Sequence, residues 1–409
     1  MTMTINKASK SNSPDLAFAI NAKVKKSQAQ YGKENVINAV LGTLADDERN
    51  IIALDSFYSR LEKMDRGQIA AYAPIEGEKF YRETVVDLCF GEYKPDVYIS
   101  AIATPGGTGA IRCGIFSYAD VGDPVICHDY FWQPYKKMCD EFERDFRTYN
   151  FLTDDFKFDI KAYEKAQNDA LRDHDRMVSI INSPGNNPTG YSLSDEEWDE
   201  VIRISKKACE NGKKITLIID VAYIEFAGEG EQKKFFKKFE DLPENLFVLV
   251  AFSMSKAYTA YGLRSGAAIG ISPSKEIIEE FNQVLSTSAR VNWSNGVHAP
   301  QHILVDLAKD ENIKEYESEL KDLKEMLADR AEVFVSEAKK HNIEIIPYFG
   351  GFFAFIPTEK AFEIVEKLEK ENIFTIPSQK GIRVALCATN KKDIVKLVQR
   401  ISFYMESES

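Results

Sequence analysis

Leu246-Phe247-Val248-Leu249-Val250-Ala251-Phe252-Ser253-Met254-Ser255-Lys256 runs from an apolar stretch into two hydroxyl residues and a lysine, and Tyr261-Gly262-Leu263-Arg264-Ser265-Gly266 follows. The apolar run 246–252, bounded by turn-forming residues, reads as a buried strand. It delivers Lys256 at the strand's C-terminal end, where ligands sit in α/β folds. A lysine that leaves water there is costly as a cation, so it pairs, loses its proton or reacts. The reactive outcome is an amine that condenses with an aldehyde. Arg264 supplies a fixed cation suited to a phosphate. Lysine, serine and arginine together suit an aldehyde that carries a phosphate, namely pyridoxal phosphate. Taken alone, most Ser-x-Ser-Lys strings are a surface lysine after a core strand.

Outward from this stretch, strand and helix patterns alternate from Val97, which predicts a mostly parallel sheet with helices on both faces. Strands are expected at 97–103, 124–128, 177–183, 215–220, 247–252 and 266–271. Pro105-Gly106-Gly107-Thr108-Gly109 reads as a tight turn before a helix over 110–118. Bare N–H groups and the positive end of a helix dipole there suit an anion, with Thr108 as N-cap and hydroxyl donor. A plain glycine-rich helix cap fits the same string equally well. It is not GxGxxG, so a dinucleotide is not indicated.

Trp132 follows the second strand and could stack on a flat ring, although most tryptophans are core packing. Asn186-Asn187-Pro188-Thr189-Gly190 follows another strand and leads to a capping box of Ser194 with Glu197. Asp220 closes Ile-Ile-Asp, where a carboxylate is expensive to bury unless it meets a partner. Tyr72-Ala73-Pro74-Ile75-Glu76-Gly77 reads as a loop before a helix over 78–90, and nothing more by residue chemistry.

The N-terminal residues, to about Asn35, read as a poorly ordered arm and a helix-like segment of the kind that embraces a neighbouring subunit. A short strand at 38–41 turns at Gly42, and a helix covers 56–64. From Asn312 a long amphipathic helix places Ile313, Tyr316, Leu320, Leu323, Leu327, Ala331 and Phe334 on one face, as suits a connector between lobes. Strands near 343–347 and 352–356, a helix over 358–371, a strand over 381–387 and a terminal helix over 391–406 make a smaller α/β lobe. The expected domains are 1–47 (arm and part of the small domain), 48–310 (large) and 311–409 (small).

The 409 residues can bury a large core, and 44% hydrophobic with 28% charged residues is ordinary for a globular protein. A formal net charge of −12 argues against nucleic acid. The six cysteines form no CxxC pair and read as buried thiols in a reducing compartment. No secretory signal and no membrane-spanning run is seen, so a cytoplasmic protein is expected. His128, His174, His298, His302 and His341 form no metal-like cluster in the sequence, and no metal site is expected.

The Gly-Gly-Thr-Gly turn, Trp132, Asn-Pro-Thr-Gly, Asp220-x-x-Tyr223, Ser253-x-Ser-Lys256, Arg264 and the Arg383 of Gly-Ile-Arg occur in one order and spacing. In this the chain resembles the fold-type I pyridoxal-phosphate aminotransferases, in particular the aspartate/aromatic group, over roughly Gln30 to Phe403. The resemblance implies an α/β large domain with a mostly parallel central sheet, a smaller α/β domain and a homodimer. It implies Lys256 as Schiff-base lysine and proton shuttle, and Asp220 at the pyridine nitrogen. Tyr223 and Asn187 would donate to the phenolic oxygen, and Trp132 would stack on the ring. Gly107, Thr108, Ser253 and Arg264 would hold the phosphate, with Tyr72 arriving from the partner subunit. Arg383 would grip the substrate α-carboxylate, and Arg290, from across the interface, the distal carboxylate of an acidic substrate. Substrates would be amino acids (aspartate, aromatic, or both) and 2-oxoglutarate in a ping-pong exchange, without nucleic acid or membrane. A lyase or decarboxylase on the same scaffold is the alternative enzyme. A non-catalytic regulator is disfavoured because no basic DNA-binding segment precedes the matching region.

Three positions depart from the family's pattern. Gly106 replaces a common serine, which would remove one phosphate contact. Tyr135 replaces the histidine frequent in aspartate-specific members. Val40 stands where a glycine would be, beside Gly42, and its bulk is expected to reshape the pocket.

Overall fold

The computed structural model describes Met3, residues 15–228 and residues 231–406. The expectation of a poorly ordered arm falls largely on residues outside this set; the helix-like segment behind it is α1 (Leu16–Tyr31). Helix α2 (Lys79–Phe90) precedes β1 (Tyr98–Thr104), α3 (Gly106–Tyr118), β2 (Pro124–His128), α4 (Pro134–Phe142) and β3 (Asp145–Tyr149). Then come β4 (Arg176–Asn182), α5 (Asp195–Glu210), β5 (Lys214–Asp220), β6 (Leu246–Ser253), β7 (Gly266–Ser272), α6 (Lys275–Asn292) and α7 (His298–Leu307).

These strands form one seven-stranded sheet in the order β1-β7-β6-β5-β4-β2-β3. Neighbours pair in parallel except at β7, which runs antiparallel to both β1 and β6. The apolar run of β6 is explained by its place between β5 and β7, where both faces are covered. Leu249 and Ala251 pack on one face with Ile111, Cys113, Tyr135 and Phe281. Val248, Val250 and Phe252 pack on the other, in the cluster that holds Trp198 and Val201. The alternation is that of a strand, with successive side chains on opposite faces.

The second part starts with α8 (Ile313–Lys340) and continues through β8 (Phe353–Pro357), α9 (Ala361–Lys370), β9 (Ile376–Ser378), β10 (Gly381–Ala385) and α10 (Lys391–Glu406). Strands β9, β10 and β8 form an antiparallel sheet in that order, and residues 37–38 pair in parallel with 373–374. On α8 the expected stripe is buried from Tyr316 to Phe334, and it packs on α10. Arg330 is buried beside that stripe, donating to the Cys387 carbonyl and to Asp47 Oδ1, each at 3.0 Å. Among the described residues no helix is long and apolar enough to cross a membrane.

Four expectations change. Residues 343–347 form no strand: Ile346 N–H donates to Phe355 O at 3.1 Å, but Pro347 has no N–H and left-handed Gly350 and Gly351 turn the chain. The glycine turn 106–109 is itself the first turn of α3, so Thr108 lies inside the helix, whose N-cap is Pro105 without a side-chain cap bond. The strand expected over 381–387 ends at Ala385 and passes into a 3₁₀ turn. Edge strand β3 was not anticipated, because Asp145-Phe-Arg-Thr-Tyr149 leaves its polar residues in solvent and lacks an apolar run. The Ser194/Glu197 box forms as expected, with Glu197 N–H donating to Ser194 Oγ at 3.2 Å and Ser194 N–H to Glu197 Oε2 at 2.8 Å.

Candidate active site

The parallel strands β4, β5 and β6 end side by side, and their last residues or the turns just beyond carry Asn182, Asn187, Asp220, Tyr223, Ser253 and Lys256. A cavity of about 620 Å³ opens there. Gly107, Thr108, Trp132, Asn187, Asp220, Tyr223, Ser253, Lys256, Arg264 and Arg383 all line it. The motifs carried by the large sheet converge because each sits at the same end of it, and Arg383 reaches the cavity from β10 of the smaller sheet.

Lys256 lines this cavity. Its Nζ donates to the Gly42 carbonyl at 2.8 Å and lies 5.2–5.5 Å from the ring centres of Tyr223, Tyr261 and Phe352. Burial brings the amine down to about 8, and the nearby Arg383 and Arg264 push the same way. Asp220 is buried; Tyr135 Oη–H donates to its Oδ2 at 2.6 Å and Ala222 N–H to its Oδ1 at 3.1 Å. Burial raises this carboxyl, and the two donors and Lys256 oppose the rise. Burial and the Asp220 charge raise the Tyr223 phenol, so it stays a donor. Asn182 ties the strand ends together: its Nδ2 donates to Asp220 O at 2.9 Å and its Oδ1 accepts from Asn187 N–H at 2.8 Å.

Arg264 sits at a left-handed φ of 49°, with Nη1 donating to Tyr261 O at 2.8 Å and to Ser255 Oγ at 3.3 Å. Gly106 is also left-handed, at φ 70°, and a Cβ there would stand 2.9 Å from Arg264 Nη2. A serine at 106 would therefore be strained and would crowd the cation. Arg383 lies over the Phe353 ring at 4.2 Å and donates through Nη2 to Val40 O at 2.6 Å and through Nη1 to Asn187 Oδ1 at 3.2 Å. Its Nε is buried without a partner.

The expectation for Val40 is corrected. Its side chain is buried in a cluster with Ile20, Val24, Val36 and Phe374, away from the cavity, and only its carbonyl reaches Arg383. Gly42 is the tight position, since a Cβ there would meet Phe353 Cζ at 2.7 Å. Tyr72 is 88% exposed and Arg290, which donates to Ser294 Oγ at 2.6 Å, is exposed too; neither lines this chain's cavity.

Three features escaped the sequence reading. Tyr135 was noted only as a departure, whereas its hydroxyl holds Asp220. Asp15, Ala17 and Phe18 of the N-terminal segment line the cavity, which a polar arm does not advertise. The histidines are not all scattered: His298 and His302 meet at Glu78, contrary to expectation. His128 stays a packed neutral ring, stacked on Phe151 and brought down to about 3 by burial.

The side chains present fit pyridoxal phosphate. The first turn of α3 has no side-chain cap, and Ser253, Ser255 and Arg264 stand with it at the cavity wall, as a phosphate requires. A buried carboxylate calls for a cationic N–H, and a lysine near pH 8 calls for an aldehyde.

The family model for aminotransferase class I and II matches residues 34–401. The aromatic-amino-acid aminotransferase of Escherichia coli (strain K12) is 25% identical over 370 residues, covering 83% of this chain and 85% of that one. The aspartate aminotransferase of Pseudomonas aeruginosa is 23% identical over 395 residues, covering 89% and 92%. A crystal structure of an aminotransferase from Anaerococcus prevotii DSM 20548 is 65% identical with a TM-score of 0.97, covering 99% of both chains. The cytoplasmic aspartate aminotransferase of Saccharomyces cerevisiae, 18% identical, shares the fold with a TM-score of 0.82 over 97% of both chains.

Proposed function

The chain belongs to the class I and II aminotransferases, and from that premise we propose that it moves an amino group between aspartate or an aromatic amino acid and 2-oxoglutarate, in two half-reactions. Amino-group transfer and the cofactor, pyridoxal 5′-phosphate, follow from the family. The observation that supports the finer reading is that Lys256, Asp220 and Arg383 line one cavity.

Bound pyridoxal phosphate supplies an electron-withdrawing ring that disperses the negative charge left when the substrate Cα loses its proton. Lys256 would be the residue that holds the cofactor and moves the substrate Cα proton. An amine near 8 is roughly half neutral at pH 8, against about one part in 300 for an ordinary lysine, so it can serve as base and as acid. Asp220 would hold the ring nitrogen protonated, and Tyr135, which donates to it, favours its charged form and aims it. Tyr223 and Asn187 would donate to the phenolic oxygen, and Trp132 would stack on the ring. Gly107, Thr108, Ser253 and Arg264 hold the phosphate. Arg383 would take the α-carboxylate in a forked grip.

Tyr72 and Arg290 act in the partner subunit's site of a homodimer, Tyr72 at the phosphate and Arg290 at a distal carboxylate. Residues 48–310 form the large domain, 311–409 the small one, and 1–47 the arm with part of the small domain. A donor panel against 2-oxoglutarate, repeated with Arg290→Ala, tests the substrate reading. Acidic donors should lose about 10- to 100-fold and aromatic donors little, from one charge-assisted contact. Equal losses refute the clamp, and absence of new glutamate refutes transfer to 2-oxoglutarate.

A further inference from the structure

His298 and His302 lie one turn apart at the start of α7, and Glu78 stands at the N-cap of α2. One ligand atom from each lies within 4.8 Å of the others. His298 Nδ1 is 2.9 Å from the Gln68 carbonyl, which can only accept, so Nδ1 carries the proton. In the neutral ring Nε2 is then a bare lone pair. It faces Glu78 Oε1 at 3.0 Å and His302 Nε2 at 2.9 Å. Contacts this short are met either by a proton on one of the imidazole nitrogens or by a cation held among the three groups. A backbone carbonyl on one ring nitrogen, with the other aimed at a carboxylate and a second imidazole, is the arrangement by which proteins orient a metal-binding histidine.

We infer that Glu78, His298 and His302 form a site for a zinc-like divalent cation, with water completing the tetrahedron. Two neutral imidazoles and one carboxylate suit zinc or cobalt better than calcium or magnesium, which prefer all-oxygen shells. Metal–nitrogen bonds of about 2.0–2.1 Å set tetrahedral donors roughly 3.3 Å apart. The present 2.9 and 3.0 Å therefore need to open by a few tenths of an ångström. His298 is 10% exposed and Glu78 33%, so the rings are held while water can reach the fourth position. The cation ties the N-cap of α2 to α7, with the Gln68 carbonyl orienting His298, beside the loop that carries Tyr72. The site does not depend on the amino-transfer reading.

The test uses the full chain with pyridoxal phosphate bound, without an affinity tag, stripped by a chelator and titrated with zinc in a calorimeter and with cobalt in a spectrophotometer. One zinc per chain and a visible cobalt band of tetrahedral type are expected. His302→Gln, at a partly exposed position, should weaken zinc by at least about tenfold and abolish the band. His298→Ala and Glu78→Gln should do the same where circular dichroism shows them folded. His174→Gln and His341→Gln, at the histidines beside Asp123 and Glu337, should leave both signals unchanged. No uptake by the native chain, or equal uptake by His302→Gln, overturns the inference; the pair would then share a proton only.

Discussion

Replacing Lys256 with methionine should stabilise the cofactor-free chain near neutral pH. Burial holds the amine near 8, against an ordinary 10.5. A lowered lysine pKa means that the unfolded chain binds the proton more tightly than the folded one. The penalty is therefore full below about 8, shrinks as pH rises, and is gone above about 10.5. At about 1.4 kcal/mol per pH unit the gap corresponds to about 3 kcal/mol. Methionine matches the length of the lysine stem without its charge, but it leaves the Gly42 carbonyl without a donor, which costs about 1 kcal/mol. A net gain of about 2 kcal/mol at pH 7 remains. Urea unfolding of both cofactor-free chains at equal concentration, at pH 7 and at pH 10.5, reads it out. The gain should vanish or reverse at the higher pH. A difference that is the same at both values would mean that the amine is not held out of water, and the account of it as a base near neutrality would fail.

Tyr135→Phe removes the 2.6 Å donor from Asp220, so the carboxyl should rise further and the pH below which pyridoxal phosphate is lost should move up, as equilibrium dialysis across pH would report. Unchanged retention would assign the tyrosine to packing alone. Gly106→Ala puts a Cβ at φ 70° and 2.9 Å from Arg264 Nη2, so the chain should lose about 1–2 kcal/mol of stability in urea unfolding. Arg383→Lys loses the forked grip and should raise KM for the amino acid about 10- to 100-fold, with little effect on cofactor content; a change in kcat alone would place the arginine elsewhere in the cycle.

Much of the large sheet was readable in the chain because its strands are apolar on both faces and alternate with helices. The strands over 246–252 and 215–220 needed only hydrophobic runs and a terminal polar residue. Edge strand β3 was not readable, since an edge exposes one side and its residues look like loop. Residues 343–347 looked like a strand for the opposite reason: apolar residues pack there without a ladder, because proline and two left-handed glycines prevent one.

The site divides along the same line. Covalent sequence alone determined which groups carry the chemistry: an amine and a carboxylate at or just beyond strand ends, one guanidinium just before β7 and one within β10, each placed by local spacing that survives any rearrangement elsewhere. Tertiary structure alone decided what surrounds them. That Tyr135 donates to Asp220, that Val40 turns its side chain away while its carbonyl meets Arg383, and that His298 faces Glu78 are contacts between segments distant in the chain. No local pattern encodes them, because they depend on how helices seat against the sheet and on which polar groups burial leaves without water.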